Sequence, residues 1–297
     1  MIKIQIPATS ANIGSGFDSL GLAVSLYNTV IMEEAEDLSI SSIDDTQIPT
    51  DEHNLVYTSA KAMYELCGKS IPGLHIQQAN AIPMTRGLGS SSACIVGGLL
   101  GANALMGYPL SKRDLINLAA KLEGHPDNIA PALMGGLVTA VMEEDKVYWV
   151  KQEITDTIRF ATFVPDFELK TEVARAALPQ QVSHKDAVYN LSRAALMSVS
   201  MYSMKFENLR IGAGDRLHQP YRLQYIPHAE EIFTMAYGLG AYAAFISGAG
   251  STLMAIVDGK NETFFEKAKA HMHSLGLDKW QLKMLQIDNE GAQVFAL

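Results

Sequence analysis

The alternation of apolar and polar residues predicts a first half that is rich in β-strands. Residues 2–6 alternate between isoleucine and polar residues, which is typical of a half-buried strand, and we expect Pro7 to end it. Further strands are expected over residues 23–32, 38–43 and 74–82, and a hairpin from segments 137–142 and 147–150. The strand over 74–82 leads directly into a segment rich in glycine and serine.

Helical spacing of apolar residues predicts three helices in the same half. One covers residues 54–67 and is ended by Gly68, and another covers 111–122 with Ser111 as its N-cap. Between them, residues 93–106 are small and apolar on all sides, with three glycines. A helix of that composition is buried and closely packed.

The pattern changes near residue 155, which predicts two domains, 1–155 and 156–297. In the second, strands are expected over residues 160–164, 241–246, 253–257 and 280–287, the last of them closing the fold. Helices are expected over residues 184–206, 229–237 and 262–274, the first capped by Ser183. We expect this half to be an α+β layer with mostly antiparallel strand pairing.

Composition narrows the class of protein. The chain has 297 residues, 48% of them apolar, and a formal net charge of −9, so a broad basic surface for nucleic acid is not expected. Cys67 and Cys94 are the only cysteines, which predicts neither a disulfide framework nor a zinc site. The sequence shows no signal-peptide pattern and no apolar run of membrane-spanning length. We therefore expect a soluble cytoplasmic protein without membrane partners.

A loop over residues 83–92 carries the first chemical signal. It consists of Pro83, Met84, Thr85, Arg86, Gly87, Leu88, Gly89, Ser90, Ser91 and Ser92. Because it leads into the N-terminus of the buried helix, its unpaired N–H groups favour a phosphate group. The alternative is a tight turn followed by a serine N-cap. No lysine follows the glycines, and Ser92 stands where a dinucleotide fingerprint needs its third glycine.

Two further glycine-bearing motifs lie at residues 7–18 and 247–252. The latter is expected to join two strands, and a plain hairpin turn is its alternative. The three motifs in this order resemble the signatures of the GHMP kinase superfamily. This resemblance implies an α+β fold of two domains: an N-terminal ATP-binding domain like ribosomal protein S5 domain 2 and a ferredoxin-like C-terminal domain.

Three stretches, residues 10–18, 123–131 and 219–222, are similar to the homoserine kinases within that superfamily. The resemblance implies transfer of phosphate from ATP, with Mg²⁺, to the side-chain hydroxyl of L-homoserine, a step in threonine biosynthesis. It also implies a homodimer. A mevalonate-type kinase of the same superfamily and a non-catalytic sensor of nucleotide and amino acid are the alternatives.

The resemblance assigns residues to ATP and to the metal. Residues 83–92 are expected to surround the ATP phosphates, and Asn54 is expected near the nucleoside unless it only caps a helix. Ser91, or its neighbour Ser90, is expected to place a hydroxyl on Mg²⁺, with Glu123 as the carboxylate ligand. The alternative for Glu123 is a solvated charge at a helix end.

For the amino-acid substrate, the resemblance places Asn12 and Asp18 at the ammonium group and Arg175 and Arg222 at the carboxylate. Arginine suits a carboxylate because its planar fork binds both oxygens. Thr171 and His125 are expected to line the same pocket. The alternatives are a helix cap for Asp18, a surface ion pair for Arg222 and a structural role for His125. Arg216 is a rival to Arg222.

The sequence leaves two alternatives for removal of the hydroxyl proton. Some members of the superfamily use an aspartate to remove the hydroxyl proton, and Asp127 occupies that region. The resemblance to homoserine kinases favours positioning of the substrate by Asn128 instead of a strong base. A loose transition state requires little early deprotonation, so this alternative is chemically reasonable.

Overall fold

The computed structural model describes residues 1–297. In the first half, the strands are β1 (Ile2–Ala11), β2 (Leu20–Ala35), β3 (Ser39–Ser42), β4 (Gly73–Asn80), β5 (Leu137–Glu143) and β6 (Lys146–Gln152). The helices are α1 (Leu55–Leu66), α2 (Ser90–Leu105), α3 (Lys112–Glu123) and α4 (Pro126–Met134). The strands and helices predicted for this half are confirmed, with bounds that differ by a few residues, and α4 is an addition.

In the second half, the strands are β7 (Ile158–Val164), β8 (Ala243–Ile246), β9 (Leu253–Asp258) and β10 (Gln281–Leu285). The helices are α5 (Thr171–Ala176), α6 (His184–Tyr202), α7 (Leu209–Gly212), α8 (Gln219–Arg222), α9 (Ala229–Gly238) and α10 (Phe264–Ser274). Strand β11 (Gln293–Ala296) ends the chain. No helix of the protein combines the length and the apolar character that crossing a bilayer requires.

The first sheet is organised around β2. Its strand order is β11-β1-β2-β4-β3, and the start of β2 also pairs with β5, which continues into β6. Residues 20–22 of β2 pair with β5, while residues 28–35 pair with β4, so one long strand serves two sets of neighbours. Strands β3 and β4 are parallel, and the other pairs are antiparallel.

The prediction that Pro7 ends the first strand is wrong. Strand β1 continues to Ala11, and its register against β2 shifts between Pro7 and Ala8. Proline cannot donate to a sheet ladder, but a bulge removes that requirement locally. The strand therefore carries the first glycine-bearing motif straight from the sheet into the centre of the molecule.

Helix α2 lies against β1 and β2, with α1 on its outer side. A Cβ atom at Gly98 would lie 2.2 Å from the carbonyl oxygen of Val56 in α1, so glycine is required for the two helices to approach this closely. The helix begins at Ser90 and not at Ala93, because the serines form its first turn. Its burial on all sides confirms the prediction from its small apolar residues.

The second sheet has the order β10-β7-β9-β8 and is antiparallel throughout, as predicted. Its two faces belong to two cores. Phe160, Phe245 and Met254 face the core shared with the first half, whereas Phe163 and Leu253 face the core beneath α9 and α10. Burial of both faces explains the unbroken apolar run of β9.

The end of the chain differs from the prediction. The strand expected to close the fold is β10, but the chain continues and β11 pairs with β1 of the first sheet. Residues 293–296 therefore belong to the first sheet, although they follow the second half in sequence. The long helix also ends at Tyr202, before the expected residue 206, and a short 3₁₀ turn follows it.

Candidate active site

A cavity of about 610 Å³ lies where the two halves meet. Residues of all three glycine-bearing motifs line it, together with the turn between α3 and α4 and the start of α5. Its lining carries four acidic and four basic side chains: Asp18, Glu123, Asp127 and Glu172, and Arg86, Lys170, Arg175 and Arg222. A cavity with this balance suits a ligand that carries both signs of charge.

The three motifs contact one another directly. The hydroxyl of Ser247 lies 2.8 Å from that of Ser10 and 2.6 Å from the carbonyl oxygen of Gly87. The N–H of Gly248 donates to the carbonyl of Ala11, which joins the third motif to the first. The third motif connects β8 and β9 as predicted, but these contacts make it part of the cavity wall and not a plain hairpin turn.

Gly87 is required by this contact. Its φ is +75°, and a Cβ atom there would lie 2.2 Å from the carbonyl oxygen of Ser247. Any other residue would meet both backbone strain and a collision with backbone atoms. The loop over residues 83–92 is thus shaped by contact with the second half.

The loop leaves the N-terminus of α2 open to the cavity. Gly89 is the N-cap residue, with a φ of 71°, and no side chain caps this end of the helix. The alternative of a serine N-cap is therefore wrong. Ser90 and Ser91 line the cavity, and the free N–H groups of the first turn favour an anion there.

Glu123 is placed by the junction of two helices. It is the last residue of α3, and Gly124 follows with a φ of 91°, a conformation that ends a helix readily. Its two carboxylate oxygens accept hydrogen bonds from Ser91 at 3.0 Å and from Ser92 at 2.8 Å. Glu123 is therefore a partly exposed helix-end charge that two serine hydroxyls hold in the cavity lining.

The next helix presents three polar side chains to the same cavity. His125 is the N-cap residue of α4, and its Nδ1 lies 2.6 Å from Oδ1 of Asp127, which is 2% exposed. Burial favours the neutral imidazole, but the hydrogen bond and charge of Asp127 outweigh it and raise the pKa of His125. Asn128 accepts a 2.7 Å hydrogen bond from the hydroxyl of Thr9, which leaves its amide group free.

Asp18 and Arg175 form a bidentate ion pair across the two halves. Arg175 donates to Oδ1 of Asp18 from Nη2 at 2.9 Å and to Oδ2 from Nη1 at 3.2 Å. Asn12 lies beside them, where it accepts from the N–H of Asp18 and donates to the carbonyl of Gly248. Thr171, at the start of α5, also lines this part of the cavity.

Arg222 is buried, with 1% of its surface exposed, and it lines the cavity. The alternative of a surface ion pair is therefore wrong. Burial, followed by the charge of Arg175, lowers the pKa of Arg222 to about 10, so it stays protonated at neutral pH. Its rival Arg216 pairs with Asp186 on the surface and does not line the cavity.

Some predicted residues lie outside the cavity lining. Asn54 caps α1, accepts from the N–H of Val56 and the amide of Gln78, and donates to the carbonyl of Pro49. Its predicted contact with a nucleoside stays a prediction. Pro83, Met84, Leu88 and Ser92 shape the loop from outside the cavity.

Comparison with known proteins identifies the family. Residues 54–136 match the model of the GHMP kinases N terminal domain, and residues 197–274 match that of the GHMP kinases C terminal domain. This chain belongs to the GHMP kinases. As a kinase it uses ATP, and its two sheets with their helices form the α+β fold of that family.

Among the relatives of this GHMP kinase are several homoserine kinases. A homoserine kinase of Caldicellulosiruptor saccharolyticus is 47% identical over 100% of this chain and 97% of its own. One of Clostridium beijerinckii is 45% identical over 99% of this chain and 98% of its own. The crystal structure of a homoserine kinase from Cytophaga hutchinsonii covers 99% of this chain and 97% of that chain, with a TM-score of 0.89 and 27% identity.

The structure of this GHMP kinase adds residues that the sequence analysis missed. Lys170 and Glu172 line the cavity. The three arginines of the lining each contact a carboxylate or a histidine, whereas the ammonium group of Lys170 contacts neither. Lys170 and Glu172 are both adjacent to Thr171, so their position in the sequence could have predicted that they line the cavity. His218 contacts Arg222, and only the position four residues before Arg222 could have suggested it.

We predict that Gly87→Ala lowers kcat/KM for ATP about tenfold or more, because overpacking a close contact costs about 1–3 kcal/mol. Gly68→Ala is the matched control, since Gly68 also has a positive φ of 67° but has open space around it. The control should lower the melting temperature and leave kcat/KM for ATP unchanged. Steady-state kinetics and thermal melting check both variants, and equal kinetics for the two would contradict the prediction.

Proposed function

We propose that this kinase transfers the γ-phosphate of ATP to the side-chain hydroxyl of L-homoserine and produces O-phospho-L-homoserine. The observation that carries the proposal is the arrangement of charge in one cavity. An open helix N-terminus lies at one side, and the Asp18–Arg175 pair and Arg222 lie at the other. The similarity to homoserine kinases over the whole chain supports the same activity.

The charges suit a zwitterionic acceptor. An ammonium group would take Asp18 and Asn12, while a carboxylate would take Arg175 and Arg222, so one small molecule satisfies both signs. Mevalonate carries a carboxylate and no ammonium group, which would leave Asp18 without a cation from the substrate. His125 and Thr171 complete the lining on this side of the cavity.

At the other side, residues 83–92 would hold the ATP phosphates, through the N–H groups of the loop and of the first turn of α2. Ser91 and Glu123 are adjacent in the cavity lining, where their oxygens share a 3.0 Å hydrogen bond, and Mg²⁺ takes oxygen ligands of both kinds. These two residues fit Mg²⁺, with phosphate oxygens and water as the remaining ligands. When bound, the ion would neutralise charge on the transferred phosphoryl group.

In the transfer, the hydroxyl oxygen bonds to the γ-phosphorus, the bond from that phosphorus to the bridging oxygen breaks, and the hydroxyl proton is released. Asn128 is suited to orient the hydroxyl, because Thr9 occupies its carbonyl and leaves its amide free to donate. Asp127 is already bonded to His125. We therefore propose that positioning, and not a strong base, carries the reaction.

The proposal is tested by measuring ADP release with Mg-ATP and L-homoserine, mevalonate, galactose or no acceptor. We expect turnover with L-homoserine alone. Turnover with mevalonate or galactose would contradict the amino-acid pocket while leaving the kinase fold intact. Binding of ATP without turnover of any acceptor would favour the sensor alternative.

A matched pair of carboxylate variants tests the mechanism. Glu123→Ala should lose activity more than a hundredfold, because it removes the expected metal ligand. Asp127→Asn should lose less than about tenfold, since general-base catalysis contributes about 10²–10⁴-fold and we propose none here. Kinetics are read with melting temperatures as the folding control. A hundredfold loss in Asp127→Asn with unchanged melting would identify Asp127 as a base.

We also propose a homodimer, a cytoplasmic location and a domain division at residue 155.

An apolar face supports the dimer. On α6, four side chains lie at a near-heptad spacing with at least half of their surface exposed: Val188, Leu191, Val199 and Tyr202. The outer face of the β5–β6 hairpin adds Val141, Tyr148 and Val150. Thr139 and Ser198 contact each other at 3.3 Å, which joins the two surfaces. Contiguous exposed apolar patches mark interaction sites.

The dimer predicts a solution mass of about twice the 32.3 kDa of one chain, measured by light scattering after gel filtration. Leu191→Lys should reduce the mass to that of one chain, because a buried unpaired charge opposes association. Leu66→Lys is the control, at an exposed residue of α1 outside this apolar face, and it should leave the mass unchanged. A monomeric wild type would contradict the proposal.

A further inference from the structure

Beside the acceptor side of the cavity lies a buried cluster of aromatic and basic groups. His218 is 0% exposed and stacks on Phe17, with ring centroids 5.2 Å apart. The guanidinium carbon of Arg222 lies 5.3 Å from the centroid of the same ring. Arg222 was assigned a role from the family resemblance, but His218 was not, and the mechanism above does not use it.

The contacts of His218 determine its protonation state. Its Nε2 lies 2.6 Å from the carbonyl oxygen of Gly14, which can only accept a hydrogen bond. Its Nδ1 lies 3.2 Å from Nη1 of Arg222, which can only donate. Both contacts are satisfied together only by a neutral imidazole with its proton on Nε2.

Burial and the charge of Arg222 agree with a neutral ring at His218. Burial is the largest influence and lowers the pKa of His218, and the charge of Arg222 acts in the same direction. Asp215 and Asp18 oppose this, and Oδ2 of Asp215 lies 3.6 Å from Nε2. Asp215 is already engaged by three backbone N–H groups and by Asn190, so it does not need a proton from the ring.

The remaining contacts of Arg222 leave one nitrogen free. Its Nε donates to the carbonyl of Ala174, and Nη1 donates to Gly248 as well as to His218. Nη2 donates to no protein atom, although the residue lines the cavity. The three acceptors thus hold the plane of the guanidinium and leave Nη2 for a ligand.

We propose that His218 is a positioning residue that orients Arg222 toward the carboxylate of the substrate. This inference rests on the proposed function, which places that carboxylate at Arg222. A neutral acceptor suits the task because it holds Nη1 without neutralising the guanidinium. A carboxylate in its place would compete with the substrate for the same charge.

Two conservative variants separate the contacts of His218. His218→Asn keeps an acceptor near the position of Nδ1 and loses the donor to Gly14. His218→Gln keeps a donor near the position of Nε2 and loses the acceptor for Arg222. Phe264→Leu, in the core beneath α9 and α10 and outside the cavity lining, is a control that lowers stability without altering a residue of the site. All are compared with the wild type for KM of L-homoserine, KM of ATP, kcat and melting temperature.

We expect His218→Gln to raise KM for L-homoserine about tenfold, as for one hydrogen bond to a charged group. Its KM for ATP should not change. His218→Asn should stay within about threefold of the wild type. In a background of Arg222→Met, His218→Gln should add no further change, because it acts through Arg222. Equal effects of the Asn and Gln variants, or an undiminished effect in the Arg222→Met background, would overturn the inference.

A measurement on the wild type covers the case in which the variants do not fold. The ¹⁵N chemical shifts of the histidine rings distinguish the two tautomers and the protonated form. The inference requires a ring with a bare Nδ1 and a protonated Nε2, and a protonated Nδ1 on His218 would overturn it. Failure of the wild type to phosphorylate L-homoserine would instead contradict the proposed function, independently of this tautomer.

Discussion

The contact between the backbones of Gly87 and Ser247 is the constraint on which the cavity depends. The Ser247 hydroxyl lies 2.6 Å from the Gly87 carbonyl, and the N–H of Thr252 donates to the carbonyl of Arg86. Buried backbone groups require such partners, so each loop satisfies the other. The loop expected to hold phosphate is therefore shaped in part by its contacts with the second half.

Different kinds of groups line the two ends of the cavity. At the α2 end, backbone N–H groups and serine hydroxyls line the cavity beside the charged side chains of Arg86 and Glu123. At the other end, Asp18, Arg175 and Arg222 supply charge. The Asp18–Arg175 pair joins the two halves, whereas Arg222 is held by acceptors of the second half. Fixed backbone dipoles suit the common phosphate, whereas placed charges suit a specific acceptor. Contact between the two halves therefore decides which groups line the cavity.

The sequence analysis succeeded where structure is local. The pattern of apolar residues located most strands and helices, because periodicity is a property of neighbouring residues. It failed at Pro7, where a register shift against β2 accommodates the proline, and at β11, which pairs with β1 across almost the whole chain. Helix α4 was missed for a related reason, since Pro131 lies inside it and prolines argue against a helix interior.

The site divides in the same way. The glycine and serine pattern of residues 83–92 and the family resemblance predict the phosphate loop, Glu123 and the acceptor residues, and the structure brings most of them to one cavity. Only the tertiary structure showed that Asp18 pairs with Arg175 and that Arg222 is buried against His218. Asp18 and Arg175 are far apart in sequence, and the burial of Arg222 and His218 cannot be read from their spacing of four residues. The sequence by itself determined which chemical groups the protein carries, and packing of the two halves decided which of them meet, because burial and contact arise only from the folded chain.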